Sequence, residues 1–325
     1  MKQKVTIEDI AKMCKVSKSS VSRYLNNGYV SQENRNIIRE AIETTGYETN
    51  FFAKRLKMKH HYLIGIIAHQ IHDDRSARML LGIQNILSER GYQFVIQIAY
   101  PSLDNELTLI NNLYQQGVDG YILDFKEFKT QHIDLLTRLD RPYVLLKGND
   151  KHSVSIDEQK AGMILGDLFA RGGHESIVYV GMDKDQAMDR LRCQGISDAY
   201  SSMKRKCKLY EEEVKEIEDT YLYAGRFLNH LPSVILLSNE LLGLGILRYL
   251  HENEIVVPQS VSLASFGGDR IGMLMYPKLT CIAYDYEKQG SIAAEKLIDS
   301  IENIKNESFQ EIVCNIVYGE SIRNL

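Results

Sequence analysis

The chain has 325 residues and a formal net charge of −4, but its charges are unevenly distributed. Residues 1–61 carry 12 Lys/Arg and 6 Asp/Glu, whereas the rest of the chain carries 27 and 37, so a basic segment precedes an acidic body. The five cysteines form no Cys-x-x-Cys pair, the N-terminus has no apolar signal segment, and no run of eighteen apolar residues occurs. These features argue against a disulfide framework, a zinc site and a membrane span, and they predict a cytoplasmic protein.

Two short helices separated by a tight turn are predicted near the N-terminus. Thr6 is suited to cap the first helix, because Asp9 supplies the acid of a capping box three positions later. Ser17 is an N-cap candidate for the second helix, whose apolar stripe is Val21 and Leu25. The buried face of the first helix is indicated by apolar residues at three- and four-residue steps: Ile7, Ile10, Ala11 and Cys14.

The outward face of the second helix is small, hydroxyl-rich and basic, and consists of Lys18, Ser19, Ser22 and Arg23. Lysine and arginine at such positions reach guanine edges or phosphates, and serine is short enough to let a helix enter the major groove deeply. Ser31 is predicted to cap a third amphipathic helix that ends at Gly46. The pattern indicates a helix-turn-helix module that binds DNA.

The ordered set of motifs resembles the lactose/galactose-repressor (LacI/GalR) family over the whole chain. The matching pieces are Val5-Thr-Ile-Glu-Asp-Ile-Ala, Val16-Ser-Lys-Ser-Ser-Val-Ser-Arg, Leu25-Asn-Asn, Val30-Ser, Gly46-Tyr and Asn50-Phe-Phe-Ala-Lys-Arg-Leu. The resemblance implies a homodimeric regulator whose heads bind operator DNA. The head residues expected to contact DNA are Thr6, Ser17, Lys18, Ser19, Ser22, Arg23 and Asn26.

The same resemblance implies a hinge helix over Asn50–Leu56 that forms when the dimer sits on its operator. Leu56 would wedge into the minor groove with Ala53 beside it, while Asn50 and Lys54 would contact the DNA around the wedge. The alternative interpretation is a linker helix, over residues 51–58, that is buried against the core.

Beyond the hinge, short apolar runs alternate with helical stretches. The predicted strands begin at Leu63, Phe94, Gly120 and Tyr143 in a first series, and at Ser176, Ser233 and Ser262 in a second. The helical stretches lie near 75–90, 105–116, 131–139, 159–171, 186–202, 219–229 and 240–253. Two such series predict two doubly wound parallel sheets.

The predicted fold class is therefore a small all-α helix-turn-helix head plus an α/β core of two doubly wound parallel-sheet lobes, and the resemblance adds that the core is periplasmic-binding-protein-like. The expected domains are a head at 1–49, a hinge helix and linker at 50–61, and an effector-binding and dimerisation core at 62–325. The first lobe would comprise about 62–157 and 286–313, and the second about 158–285 and 314–325.

Ligands of open parallel sheets lie beyond the carboxyl ends of the strands, which predicts a pocket between the lobes. Arg192 matches the family's effector-binding arginine, with a surface helix charge as the alternative. Asn239 matches a polar ligand contact, with capping of the next helix as the alternative. Four polar residues that follow the first strand are further candidates: His72, Asp73, Arg75 and Arg78.

Two departures from the family pattern concern the effector. Gly267 stands where many relatives have an aspartate, with Asp269 two residues further on, and Lys147 stands where some sugar-binding relatives have an aspartate. Loss of acids and gain of a base favour an anionic effector held by Lys147 and Arg192, with Arg75 or Arg78 as a further candidate. The branch that the chain most resembles, the trehalose repressors, suggests a phosphorylated disaccharide such as trehalose 6-phosphate. The alternative for Lys147 is a salt bridge within the core.

Three alternatives to a repressor that responds to a sugar phosphate can be judged from the sequence. Two stay open, and one is disfavoured. The two open alternatives are a neutral sugar such as sucrose and, as in the family's catabolite-control branch, a phosphoprotein partner. An enzyme is disfavoured, because the chain has no Gly-x-Ser-x-Gly elbow, Walker loop or His-Glu-x-x-His motif. No catalytic residue, metal or cofactor is therefore predicted.

Overall fold

A computed structural model describes residues 5–25, 28–47, 60–69, 71, 74–100, 102–182, 187–227, 230–268, 270–304 and 309–325. Contacts divide the chain into two compact units, Met1–His61 and Tyr62–Leu325, and each is considered by itself. Within the described ranges, no helix has both the length and the apolar composition that a membrane crossing requires.

The first unit contains three helices, α1 (Ile7–Met13), α2 (Lys18–Leu25) and α3 (Gln32–Thr45). Their small core is formed by side chains from all three, with Ile10, Val21 and Ile38 completely buried. Because each helix is too short to be stable alone, this shared core is what holds the helices together.

The predicted helix caps of the first unit are confirmed. Thr6 and Asp9 form a capping box, and the Ser17 hydroxyl accepts the backbone N–H of Ser20 at 3.1 Å. Ser31 caps α3, which ends at Gly46 in the left-handed conformation, with φ of 60°, that glycine adopts without strain.

The first lobe of the second unit is built on a sheet of four parallel strands in the order β2-β1-β3-β4. These strands are β1 (Leu63–Ala68), β2 (Gln93–Ile98), β3 (Gly120–Asp124) and β4 (Tyr143–Leu145). The helices between them are α4 (Asp74–Glu89), α5 (Leu103–Gln115) and α6 (Thr130–Leu139). Every residue of β1 and β3 is buried, as expected for strands covered on both faces.

The second lobe is built on a six-stranded sheet in the order β12-β10-β9-β8-β6-β7, in which β12 alone runs antiparallel to its neighbour. Its strands are β6 (Ser176–Gly181), β7 (Lys208–Glu213), β8 (Val234–Leu237), β9 (Ser262–Gly267), β10 (Thr280–Tyr284) and β12 (Cys314–Val317). Its helices are α7 (Glu158–Arg171), α8 (Ala187–Ser202), α9 (Thr220–Ala224), α10 (Leu242–Glu252) and α11 (Arg270–Leu274).

Two elements return the chain to the first lobe. Helix α12 (Tyr286–Ile301) packs along α4, and β11 (Gln310–Ile312) pairs in parallel with β5 (Val154–Ile156). The two lobes share one continuous hydrophobic cluster, which includes Ile64 of β1 and Ile177 of β6. The fold class predicted from the sequence is thus confirmed.

The predicted helix over 219–229 is wrong in extent. The α-helix covers only Thr220–Ala224, and a short 3₁₀ turn at Gly225–Phe227 follows it. Glycine weakens a helix by about 1 kcal/mol relative to alanine, so the helix gives way at Gly225. The strand β7 was not predicted, because its sequence Lys-Leu-Tyr-Glu-Glu-Glu has the polar composition of a sheet edge.

Reciprocal glycine contacts bring two pairs of helices to backbone contact. In the second lobe, a methyl group at Gly162 would overlap the carbonyl oxygen of Arg192, and one at Gly195 would overlap that of Gln159. In the first lobe, Gly82 faces Glu287 and Gly290 faces Met79 in the same way. Helices α7 with α8, and α4 with α12, therefore pack without an intervening layer of side chains.

We expect Gly195→Ala to lower the free energy of unfolding by about 1–3 kcal/mol, because the new methyl group must push two helix backbones apart. Gly225→Ala is the matched control. Gly225 has helical backbone angles, and the atom nearest to a new methyl group there is the hydroxyl of Tyr249 at 3.2 Å. That substitution should be neutral or stabilise the protein by about 0.4–1 kcal/mol. Equal effects of the two changes in urea unfolding would contradict the close packing of α7 on α8.

Candidate functional site

The outer face of α2 has the exposure that a DNA-contacting surface needs. Lys18, Ser19 and Arg23 are exposed, whereas Ser22 is half-buried. The Nζ of Lys18 lies 2.6 Å from Oε1 of Glu8, and this hydrogen bond lowers the pKa of the Glu8 carboxyl. Both side chains are largely exposed, so the pair can exchange for a phosphate contact at little cost.

The other predicted DNA contacts divide into two groups. Thr6 and Ser17 are described, and both hydroxyls serve as helix caps. Five residues lie outside the described part of the chain, namely Asn26, Asn50, Ala53, Lys54 and Leu56. Contact with DNA remains a prediction for all the head residues.

Three charged side chains meet at the carboxyl edge of the first-lobe sheet. Asp124 is the last residue of β3 and Lys147 follows β4, and their Oδ1 and Nζ atoms are 2.9 Å apart. Nη2 of Arg75, on α4, lies 3.7 Å from the same oxygen. Burial alone would raise the pKa of Asp124, but the two cations outweigh burial and hold that pKa below its usual value. Lys147 is therefore salt-bridged, as the alternative interpretation of the sequence had it.

A buried cluster of two histidines and one glutamate lies behind this edge. Nδ1 of His69 donates to the carbonyl oxygen of Ala99, and its Nε2 lies 3.2 Å from Glu106 Oε1. Nδ1 of His132 accepts the backbone N–H of Lys129, and its Nε2 lies 3.1 Å from Glu106 Oε2. Burial lowers the pKa of both imidazoles and raises that of Glu106. The cluster thus joins α5 and α6 to the residue that follows β1.

Arg192 is buried in the second lobe and is held by two carboxylates. Its Nε donates to Glu158 Oε2 at 2.7 Å, and its Nη1 lies 3.4 Å from Asp189 Oδ1 and donates to the Ser238 carbonyl oxygen at 3.1 Å. Burial would lower the pKa of Arg192, but Glu158 and the groups around it hold that pKa well above its usual value. These three hydrogen-bonding contacts use Nε and Nη1 of the guanidinium.

Aromatic side chains complete the surroundings of Arg192. The guanidinium lies over the ring of Phe266, 4.4 Å from its centroid. The Tyr179 hydroxyl donates to Asp189 at 2.5 Å, and the Tyr284 hydroxyl donates to Glu158 at 2.7 Å. Burial raises the pKa of both tyrosines, so both hydroxyls stay protonated and act as donors. Flat apolar faces beside carboxylates suit a ligand with hydroxyl groups and C–H surfaces.

A chain of contacts links the charged groups of the two lobes. Arg75 and Arg78 lie over the ring of Tyr286, with distances of 5.8 and 5.9 Å from guanidinium carbon to ring centroid. The ring of Tyr286 is 5.6 Å from that of Tyr284, whose hydroxyl reaches Glu158. The predicted candidates Arg75, Arg78 and Arg192 therefore belong to one continuous network.

Asn239 and Gly267 sit at the carboxyl ends of β8 and β9. The Asn239 side-chain oxygen accepts the backbone N–H of Leu242, the first residue of α10, at 3.4 Å, while Leu241 is the N-cap residue of that helix. Gly267 has a φ of 124°, and a methyl group there would lie 2.6 Å from Oε2 of the buried Glu240. The carboxylate of Glu240, which lies two residues before α10, therefore occupies the space that an aspartate side chain at position 267 would need. His72, Asp73 and Asp269 lie outside the described residues.

The acidic partners of the site were missed in the sequence analysis. Asp124, Glu158 and Asp189 each neutralise a cation that was singled out as an anion-binding group. One signal was available for Asp124, which follows an apolar strand at the edge where a ligand is expected. No comparable signal marks the other two, because their pairing with Arg192 depends on how the helices pack.

Comparison with known proteins places these features in context. Residues 6–50 match the model of bacterial regulatory proteins of the lacI family, and residues 167–322 match a periplasmic binding protein-like domain. The sucrose operon repressor of Staphylococcus xylosus is 25% identical over 302 residues, which cover 91% of this chain and 94% of that protein. Catabolite control protein A of Priestia megaterium is 24% identical over 316 residues, covering 90% and 91%.

Solved structures show the same architecture. The Lac repressor dimer bound to operator and the anti-inducer ONPF superimposes with a TM-score of 0.90 at 20% identity, covering 99% of this chain and 100% of that one. A complex of the transcriptional regulator CelR with cellobiose gives a TM-score of 0.71 at 21% identity, covering 98% and 99%. At these identities the likeness shows the fold.

Proposed function

Because the chain belongs to the lacI family of bacterial regulatory proteins, we propose that it is a transcriptional repressor that acts in the cytoplasm on a carbohydrate-utilisation operon. The observation that carries the proposal is that one chain contains both an exposed basic helix, α2, and a two-lobed core. In that core a buried arginine, Arg192, lies at the carboxyl edge of the second-lobe sheet. Lys18, Ser19 and Arg23 would contact base edges and phosphates, and the hinge residues Asn50–Leu56 would contact the minor groove. The relatives described above are regulators, which supports a role without catalysis.

We propose that the protein acts as a homodimer. Leu274 at the end of α11 is 85% exposed and Tyr276 is 92% exposed, so an apolar surface lies open on the second lobe. Large apolar side chains in such positions favour burial against a second subunit. Two heads on a symmetric dimer would read the two halves of a pseudo-palindromic operator.

The charges of the site favour a neutral sugar as the effector. Arg192 faces two carboxylates, and Lys147 is paired with Asp124, so neither cation offers an uncompensated charge to a phosphate. The carboxylates and the guanidinium group can hydrogen-bond the hydroxyl groups of a sugar, and the ring of Phe266 can pack against its C–H face. A sucrose operon repressor is among the relatives, which supports a sugar such as sucrose.

A sugar phosphate such as trehalose 6-phosphate is the second candidate. The observation that favours it is local: Arg75 and Lys147 both lie within 4 Å of the same oxygen of Asp124 in the first lobe, which brings two cations together. The Lys147 side chain is also 39% exposed, so it remains accessible to a ligand.

The melting temperature of the full-length protein should rise selectively with one sugar from a panel of sucrose, trehalose, raffinose and glucose with their available 6-phosphates. Saturation at 100 times the Kd stabilises a protein by about 2.7 kcal/mol, which gives a readily measured shift. Lys147→Gln separates the candidates: it should leave the response to a neutral sugar in place but abolish a response to a phosphate. Lys151→Gln, a nearby exposed position, is the control. A protein that responds to no sugar would instead point to regulation by a phosphoprotein partner.

The effector would act by binding one arrangement of the two lobes more tightly than the other. A ligand shifts such an equilibrium only by its difference in affinity for the two states. Release from the operator would follow if the arrangement that binds the sugar holds the hinges in positions unsuited to the minor groove.

A further inference from the structure

The chain passes between the lobes at three places that lie side by side. The first crossing leads from β5 into α7 at residues 156–158, and the second leads from β10 into α12 at residues 284–286. The third leads from β11 into β12 at residues 312–314. The parallel pairing of Ile156 with Ile312 joins the first crossing to the third. Any rotation of one lobe against the other must be absorbed at these three crossings.

A single carboxylate oxygen connects two crossings to the candidate ligand arginine. Oε2 of Glu158, on the first crossing, accepts hydrogen bonds from Arg192 Nε and from the hydroxyl of Tyr284, both at 2.7 Å. Tyr284 ends β10 at the second crossing. The three side chains are almost completely buried, so water does not replace these bonds freely when one of them is stretched.

We propose that Glu158 and Tyr284 are positioning residues that couple the occupancy of the effector site to the angle between the lobes. The inference rests on the proposed function, in which Arg192 contacts the effector. A ligand that contacts the Arg192 guanidinium pulls on the whole group, and the guanidinium cannot move without changing its hydrogen bond to Glu158. Because Glu158 also holds Tyr284, the change reaches both crossings at once.

The backbone supports this role. The carbonyl of Arg192 lies directly against Gly162 of α7, and Glu158 begins the same helix with Asp157 as its N-cap. Movement of Arg192 relative to α7 is therefore restricted to its side chain. The side chain in turn is bonded at two nitrogens, so the Glu158 bond is a main route by which ligand contact can reach the crossings.

Hydrogen exchange in the ligand-free, full-length protein tests the connection without any effector. Tyr284→Phe removes the hydroxyl and keeps the ring, and it should speed amide exchange about ten-fold at residues 154–158 and 312–314, away from the substituted residue. Tyr121→Phe is the control. It also removes a buried hydroxyl, bonded to the carbonyl of Ile110 in the first lobe, and it should leave the crossings unchanged. Exchange that accelerates only around residue 284 would overturn the proposal.

Allosteric coupling tests the role in regulation. Operator affinity is measured on a duplex selected from random DNA by the unaltered protein, with and without the panel sugar that gives the largest thermal shift. The ratio of the two Kd values should fall at least about five-fold in Tyr284→Phe and in Glu158→Gln. A purely structural role would alter stability and leave the ratio intact. If the unaltered protein selects no DNA or shows a ratio of one, the proposed function fails, and hydrogen exchange still decides the connection.

Discussion

Replacement of Arg192 by methionine is expected to lower the free energy of unfolding by about 3–5 kcal/mol and to abolish the response to the effector. Methionine keeps much of the apolar length of the side chain but removes the charge. Glu158 and Asp189 are then left as two buried carboxylates without this cation, although each still accepts a tyrosine hydroxyl, from Tyr284 and Tyr179 respectively. The loss of a buried countercharge costs far more than the loss of an exposed one, because water cannot solvate what remains.

Urea unfolding of full-length protein measures the stability, and the sugar-induced shift in melting temperature measures the response. Arg190→Met, two positions away on the same helix, is the matched control, since Arg190 is exposed. Its effect on stability should stay within about 0.5 kcal/mol. An Arg192→Met protein as stable as the control would mean that Glu158 and Asp189 do not hold Arg192 as a buried ion-paired group.

Operator affinity is expected to fall by about 10³–10⁵-fold between 50 and 200 mM salt, if the dimer makes about 6–10 phosphate contacts. The basic head, with twice as many Lys/Arg as Asp/Glu, supplies these contacts, whereas the acidic core repels DNA. Lys18→Gln distinguishes two roles for one side chain. A Lys18 that binds phosphate should reduce the slope of log Kd against log salt by about two, one for each subunit of the dimer, uniformly across sequences.

A Lys18 that reads a base edge should instead leave the slope nearly unchanged and relax the preference at one operator position, at a cost of about 1–3 kcal/mol. Lys151→Gln in the core serves as the control for a change in net charge alone. A salt dependence as weak as that of a neutral ligand would contradict the assignment of α2 to DNA.

The local features of the head could be predicted from the sequence because they depend on neighbouring residues. The capping box of Thr6 and Asp9, the caps at Ser17 and Ser31 and the end of α3 at Gly46 need no knowledge of the rest of the fold. The alternation of buried strands and amphipathic helices predicted all four strands of the first sheet and three of the six strands of the second, β6, β8 and β9, for a similar reason.

The charge balance of the core site could not be predicted in the same way. Lys147 alone suggested an anion site, but Asp124, 23 positions earlier, neutralises it through the adjacency of β3 and β4. Arg192 meets Glu158 across 34 positions because glycines let α7 and α8 approach closely. Such pairings follow from which strands and helices are neighbours, and single-residue patterns do not contain that information.

The backbone contacts of α4 with α12 and of α7 with α8 bear on how the molecule deforms. With no side chains between them to reorient, the paired helices resist sliding, and we expect each pair to move as one body when the lobes rotate. Helix α4 has 16 residues and is therefore about 24 Å long. A small rotation at the inner end of α4, beside Arg75, produces a larger displacement at its outer end. The glycines that hold the helices together therefore determine how far a small rotation at the site is amplified.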